Sequence, residues 1–157
     1  LASSAASDVY KRQLQASLEC VLFMPTKIPP HKESTKITSE SVRSQMVRLA
    51  VAGNNDFFSD LPREDEILLE GHKIMVTHGH NYGVSMDLYG VSEEAAARGC
   101  EIVCFGHTHK PVVEKKNGVL VINPGSLSFP RQEGRRPSYA VMELYKGEEP
   151  EIEIRYL

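Results

Sequence analysis

The sequence predicts a mixed α/β (or α+β) layered protein, and three observations carry that expectation. Short apolar runs of strand length alternate with two stretches of helical period. Turn dipeptides, above all Asn117-Gly118, sit at hairpin spacing between the runs in the second half of the chain. No apolar run approaches the ~20 residues that a membrane-spanning helix needs.

The elements follow in chain order. Residues Leu1 to Gln13 are small and polar without usable period, and they lack the basic start and apolar core of a signal peptide, so they read as a linker-like, disordered stretch. Leu18 to Met24 is an apolar run ended by Pro25, which predicts a buried strand. Pro29-Pro30-His31-Lys32 must be loop, because two prolines remove donors and fix φ. Thr38 or Ser39 can cap a helix that runs to Ala52, with Val42, Met46, Leu49 and Ala50 on one stripe and Gly53 as its stop. Glu66 to Leu69 and Lys73 to Thr77 flank Glu70-Gly71-His72 as a hairpin, which leaves His72 exposed in the turn. Met86 to Arg98 reads as a helix with Leu88, Val91 and Ala95 on one side and Gly99 closing it. Ile102 to Phe105 is wholly apolar, as in a strand buried on both faces. Val112 to Lys115 and Val119 to Asn123 bracket the Asn117-Gly118 turn, and Tyr139 to Leu144 with Glu151 to Tyr156 form a last hairpin around Lys146-Gly147.

Charge and cysteine usage narrow the function. The chain has 157 residues, the length of one domain, and a formal charge of −3. That balance argues against a nucleic-acid-binding surface but leaves room for a phosphate-binding pocket. Three cysteines, Cys20, Cys100 and Cys104, form neither a disulfide framework nor a zinc knuckle and predict a reducing, cytoplasmic setting. The average hides a seam. Residues 1–52 carry seven basic and four acidic side chains, whereas residues 53–157 carry eleven and seventeen. Five of the six histidines lie between His72 and His109, which concentrates the chemistry in the second part.

Three short loops hold metal-ligand atom types: Gly53-Asn54-Asn55-Asp56, Thr77-His78-Gly79-His80 and Gly106-His107-Thr108-His109. The last two directly follow predicted strands, where open α/β sheets place ligands. Two histidines one residue apart can project to opposite sides of a turn and serve neighbouring metals. Imidazole and amide oxygen suit Mn²⁺, Fe²⁺, Zn²⁺ or Ni²⁺.

In the order GNND, THGH, GHTHKP and INPGS, residues 53–157 resemble the calcineurin-like metallophosphoesterases, in particular their small single-domain phosphodiesterase (YfcE-like) branch. The resemblance implies a four-layer α/β/β/α sandwich with two metal ions at the ends of its strands. It implies that Asn54, His78 and His107 ligate the second metal and His109 the first, with His80 close by, behind the ligands or facing substrate; as catalytic groups, His80 or Asn55 could orient substrate or leaving group. Asn123 to Ser126 match a turn that supports the site without ligating. The family opens with a strand bearing Asp-x-His and a later Gly-Asp, which supply the remaining ligands and the bridging carboxylate. Residues 1–52 contain only Asp8 and His31, so the sandwich is expected to be truncated and its first metal site stripped. Asp56 or Asp60 could replace the bridge.

A second resemblance lies upstream. FMPTKIPPHK (Phe23 to Lys32) and SVRSQMVRLAVAGN (Ser41 to Asn54) resemble nicotinate-nucleotide adenylyltransferases, whose fold there is a strand-loop-helix piece of a Rossmann-like domain. The chain thus divides into residues 1–13, an adenylyltransferase-like fragment over 14–52, and the C-terminal part of a metallophosphoesterase domain over 53–157. A chimera joined near Gly53 is the expected origin.

These readings predict a metal-dependent phosphodiesterase that hydrolyses small phosphate esters through a metal-activated hydroxide. One weak site, filled by a divalent transition metal such as Mn²⁺, replaces the family's two, and turnover is impaired. Strands exposed by loss of the leading segments are expected to flank the metal loops, giving edges for self-association. The alternatives are an adenylyltransferase fragment joining AMP to nicotinate mononucleotide, and a non-catalytic scaffold of the phosphoesterase fold.

Overall fold

The computed structural model describes residues 22–23 and 48–157. Two short strands come first, β1 (Leu22–Phe23) and β2 (Arg48–Leu49), paired antiparallel. The helix predicted to run to Ala52 therefore does not reach its expected end. Leu49 packs on the main core, Val51 and Ala52 are buried, and the Ala52 N–H donates to the Pro62 carbonyl at 2.8 Å. Tertiary burial overrides a helical stripe here. The earlier part of that helix, the Pro29-Pro30-His31-Lys32 loop and the linker-like start lie outside the described residues.

A five-stranded sheet positions everything else. It contains β3 (Glu64–Leu69), β4 (His72–Thr77), β5 (Ile102–Phe105), β6 (Pro111–Lys116) and β7 (Val119–Pro124), in the spatial order β3-β4-β5-β7-β6. The central pairs β4/β5 and β5/β7 are parallel, and both outer pairs are antiparallel hairpins. Each hairpin turns on two residues with positive φ, Glu70-Gly71 and Asn117-Gly118, as a tight primed turn requires. β4 thus starts one residue earlier than predicted, and His72 belongs to the strand.

The side chains of the central strands alternate between two cores, as the two-residue period of a strand dictates. Ile74, Val76, Ile102, Cys104 and Ile122 face one side, where they meet Val51 and Met142. Met75, Val103, Phe105, Val119 and Val121 face the other and pack against α1 (Tyr89–Ala97) through Val91 and Ala95. Each such fully buried aliphatic or Phe side chain contributes about 1.5–3 kcal/mol by leaving water. α1 is shorter than predicted at its start: the Asp87 carboxylate caps the Tyr89 N–H at 2.7 Å, and Met86 is exposed. A second sheet, the hairpin β8 (Ser138–Glu143) and β9 (Glu151–Tyr156), covers the first core with Met142, Ala140 and Ile152.

The result is the expected mixed α/β architecture, with three of the four anticipated layers among the described residues: helix, five-stranded sheet and two-stranded sheet. Among the described residues, β4 and β5, which carry the histidine loops, are each hydrogen-bonded on both sides, and β3 and β6 end the five-stranded order. Among the described residues, no helix is long and apolar enough to cross a membrane.

Candidate metal centre

The parallel register brings the two His-x-His loops together. Thr77 of β4 is the partner of Phe105 of β5, so the next residues leave the sheet side by side, and the Gly106 N–H donates to the His78 carbonyl at 3.2 Å. The imidazoles of His78 and His107 then lie 5.0 Å apart between centroids, inclined at 70°. His80 reaches the same place because the chain turns at Gly79 (φ 96°), where a Cβ would fall 2.9 Å from Val84 and 3.2 Å from Phe105. Its ring is 4.9 Å from His78 and 6.2 Å from His107. The turn is fastened behind His80, where the Tyr82 hydroxyl donates to Glu64 at 2.5 Å and Arg98 pairs with the same carboxylate at 2.8 Å.

The Gly106-His107-Thr108-His109 loop is held in an uncommon conformation. Both His107 (φ 63°) and His109 (φ 58°) are left-handed, a region that non-glycine residues enter mainly where surrounding contacts enforce it. The enforcing contact is Asn123, fully buried at the end of β7. Its amide donates to the Gly106 carbonyl at 2.7 Å and to Thr108 Oγ1 at 3.0 Å, while its Oδ1 accepts from the Gly125 N–H at 2.9 Å. The Asn123 to Ser126 turn is thus a buttress, as expected. His109 Nδ1 donates to the Phe129 carbonyl at 2.9 Å. A carbonyl can only accept, so the neutral ring carries its proton on Nδ1 and presents a lone pair on Nε2.

The first loop closes the site from the side. The Gly53 N–H donates to Asp56 Oδ2 at 2.8 Å, and a Cβ on Gly53 would lie 3.2 Å from both that oxygen and His78 Nε2. A larger residue at Gly53 would crowd both side chains. Asp56, a candidate replacement for the bridging carboxylate, thus lies in the loop beside His78 and its charge reaches that ring; the turn-forming Asx pattern of GNND is its signal. Asn54 and Asn55 are exposed, and the Asn54 amide donates to Asn55 Oδ1 at 3.1 Å. Asp60 is exposed.

Electrostatics keep the imidazoles neutral. Burial first, then the neighbouring His107 and His80, push His78 down to about 4, against the weaker pull of Asp56. Burial also lowers His107, helped by His80, His109 and Arg131. His80 is lowered by burial and by Arg63. Neutral imidazoles are the form that binds metal.

The donor set suits a divalent transition ion in kind, with Asp56 as the adjacent anion. Its geometry is not a closed cage: among the described residues, no group of three or more His, Cys, Asp or Glu side chains is gathered tightly enough to hold an ion. His78 Nδ1 and His80 Nδ1 are 2.9 Å apart, one donating to the other. Two nitrogens bound to one tetrahedral ion at ~2.0–2.1 Å are about 3.3 Å apart, so an ion on His78 Nδ1 would displace this hydrogen bond.

His72 was expected to be an exposed turn residue, and the structure corrects this. It is buried, with Nδ1 2.9 Å from Glu101 Oε2 and Nε2 3.2 Å from the Tyr145 carbonyl, at the opposite end of β4 from the histidine loops.

Comparison with known proteins agrees with this architecture. Residues 32–147 match the Calcineurin-like phosphoesterase superfamily domain. The "Probable metallophosphoesterase YsnB" of Bacillus subtilis is 44% identical over 96 residues, covering 60% of this chain and 55% of that protein. "Phosphodiesterase YfcE" of Escherichia coli is 33% identical over 78 residues, covering 50% of this chain and 38% of the relative. The chain thus spans about half or less of the length of these two relatives. A predicted phosphoesterase of Streptococcus pneumoniae superposes with a TM-score of 0.56 at 28% identity, over 67% of this chain and 69% of that one. Vps29 of Entamoeba histolytica, solved in complex with Zn²⁺, has the same fold at 22% identity and a TM-score of 0.55, over 68% and 67% of the two chains. The "Probable nicotinate-nucleotide adenylyltransferase" of Listeria welshimeri is 44% identical over 61 residues, 39% of this chain and 31% of that protein. With the family match extending over most of the chain and the histidine loops at the ends of its parallel strands, the chain belongs to the calcineurin-like phosphoesterase superfamily.

Proposed function

We propose that this chain carries part of the active site of a metal-dependent phosphodiesterase that hydrolyses small phosphate esters. The observation that carries the reading is the convergence of His78, His80 and His107, all held neutral, at the ends of adjacent parallel strands. In this reading Asn54, His78 and His107 hold one divalent ion, with Mn²⁺ as the preferred metal. His109, fixed by Phe129, stands beside the position of a second. A divalent ion, when bound, supplies positive charge to the phosphoryl oxygens and lowers the pKa of water.

The protein's own groups do the rest. Asn55, exposed on the first loop, orients an ester oxygen. His80, whose ring sits against His78, passes a proton to or from the reacting group. Asp56 offsets part of the ion's charge, but neutral donors dominate, so metal affinity is weak and turnover impaired. Cys100 and Cys104, each buried in one of the two cores, support a cytoplasmic setting. The segment over 14–52 is read as adenylyltransferase-like and fused near Gly53, a reading supported by the Listeria match. A single genomic product spanning both halves in several isolates would oppose that fusion.

The functional test is Mn²⁺-dependent hydrolysis of bis(p-nitrophenyl) phosphate. The expected result is slow hydrolysis that stops on chelation and falls at least ~100-fold in His80→Ala. Unchanged hydrolysis after chelation would overturn the reading.

A further inference from the structure

His80 sits on a turn that its immediate neighbours hold only weakly. His80 to Tyr82 form a single 3₁₀ turn between two left-handed glycines, Gly79 (φ 96°) and Gly83 (φ 63°), and no side chain caps its start. Asn81 and Gly83 are exposed. Three residues per turn send the His80 and Tyr82 side chains to different sides. One end of this arrangement delivers His80 Nδ1 to 2.9 Å from His78 Nδ1, a distance that a shift of about 1 Å would take out of hydrogen-bond range.

The other end is anchored through Tyr82. Its ring packs on the core that faces α1, and its hydroxyl donates to Glu64 Oε1 on β3 at 2.5 Å while accepting from Arg98 Nη2 at 3.4 Å. Burial, then the Glu64 carboxylate, raise the phenol well above its ordinary pKa, so it keeps the proton that it donates. Glu64 is fixed in turn. Arg98, the residue that ends α1, pairs with Glu64 Oε2 at 2.8 Å and with Glu94 Oε1, one helical turn back, at 2.6 Å. The Arg98 carbonyl accepts from Lys73 Nζ of β4 at 2.7 Å. Gly90 of α1 also lies against the turn's backbone, where a Cβ would fall 2.9 Å from the Tyr82 carbonyl. The Tyr82 hydroxyl therefore joins β3, the end of α1 and the His80 turn, and the first two are held by strand pairing and by core packing.

We infer that Tyr82, anchored through Glu64 and Arg98, is a positioning residue that holds the His80 ring against His78. The inference rests on the phosphodiesterase reading for the role of His80 and deepens it by assigning what aims that ring. A polar group locked by packing and by satisfied partners orients its neighbour far better than one bonded to water.

The test reads the His78–His80 hydrogen bond directly, as the ¹⁵N–¹⁵N coupling between the two Nδ1 atoms in NMR of the metal-free full chain, alongside Mn²⁺-dependent hydrolysis of bis(p-nitrophenyl) phosphate. The wild type should show the coupling. Tyr82→Phe and Glu64→Ala should lose it, and kcat should fall ~10-fold with KM changed less than ~2-fold. Glu64→Gln keeps an oxygen that accepts from Tyr82 and should restore the coupling. Glu66→Gln removes a carboxylate that pairs with Lys73 and Arg98 and should leave the coupling intact, whatever its effect on thermal stability. If Tyr82→Phe fails to fold, the Glu64→Ala and Glu64→Gln pair decides. A wild-type coupling and kcat in Tyr82→Phe, its loss in Glu66→Gln, or its absence from the wild type would overturn the inference and leave the phosphodiesterase reading standing. A wild type without hydrolysis whose coupling still depends on Tyr82 would remove that reading and leave the positioning role.

Discussion

At the scale of single residues, His72 shows how a buried histidine can answer to pH away from the site. Burial alone disfavours its charged form, but hydrogen bonds to the Glu101 carboxylate and the Tyr145 carbonyl outweigh that and raise its pKa above 6.5. Both ring nitrogens face acceptors, so the imidazolium satisfies both and the neutral ring only one. A histidine with a raised folded pKa stabilises the fold fully below its unfolded pKa and loses that contribution as pH rises through the folded value. Chemical denaturation of the wild type and His72→Gln should therefore differ most near pH 5.5, by about 1 kcal/mol, and converge above pH ~8. A difference that grows with pH would contradict the assignment. Sequence reasoning missed this residue because its partners lie 29 and 73 residues away, and a histidine next to a glycine turn looks locally like a surface residue. His78, His80 and His107 were legible for the opposite reason. Their loops are short, glycine-flanked and placed directly after apolar strands, all of which is local information.

Among the elements, the buttress beneath the second His-x-His loop governs the site's geometry. Asn123 satisfies three polar groups at once and leaves no room for water to replace it, being fully buried. Gly125 beside it has φ 85°, and a Cβ there would fall 2.0 Å from Ser138 Oγ, so the turn is fitted against β8 as well. Removing the amide leaves the Gly106 carbonyl without this donor and lets His107 and His109 relax from their left-handed conformations. Asn123→Ala should lower stability by about 1–3 kcal/mol in urea denaturation. It should also weaken Mn²⁺ binding by ~10-fold or more, because supporting groups orient ligands. Wild-type metal affinity in a destabilised Asn123→Ala would show that the turn is only structural. The hairpins on either side were readable from turn chemistry, since Asn117-Gly118 and Glu70-Gly71 specify tight reversals. The sheet order β3-β4-β5-β7-β6 was not, because parallel neighbours are set by long-range packing. For the same reason the stripe through Leu49 and Ala50 suggested a helix, whereas Arg48 and Leu49 pair as strand with Leu22 and Phe23.

For the whole molecule, two cores on opposite faces of one sheet hold the strands from which the histidine loops emerge. β4 and β5 are clamped between α1 on one side and β8–β9 on the other, and both are internal strands. The residues that close the centre therefore rest on buried backbone, whereas the Asn54 and Asn55 side chains lie exposed on their loop. Metal affinity should then divide along structural lines. In the proposed reading His78 and His107, joined through adjacent strand ends, carry the ion, while His109 is tied to the Phe129 carbonyl. The measurement that tests this most directly is the Mn²⁺ retained per chain after dialysis, compared among the wild type, His78→Ala, His107→Ala and His109→Ala. The account predicts weak retention of at most one ion by the wild type, loss in the His78 and His107 variants, and little change in the His109 variant. Two tightly held ions in the wild type, or retention that survives loss of His78 and His107, would contradict it.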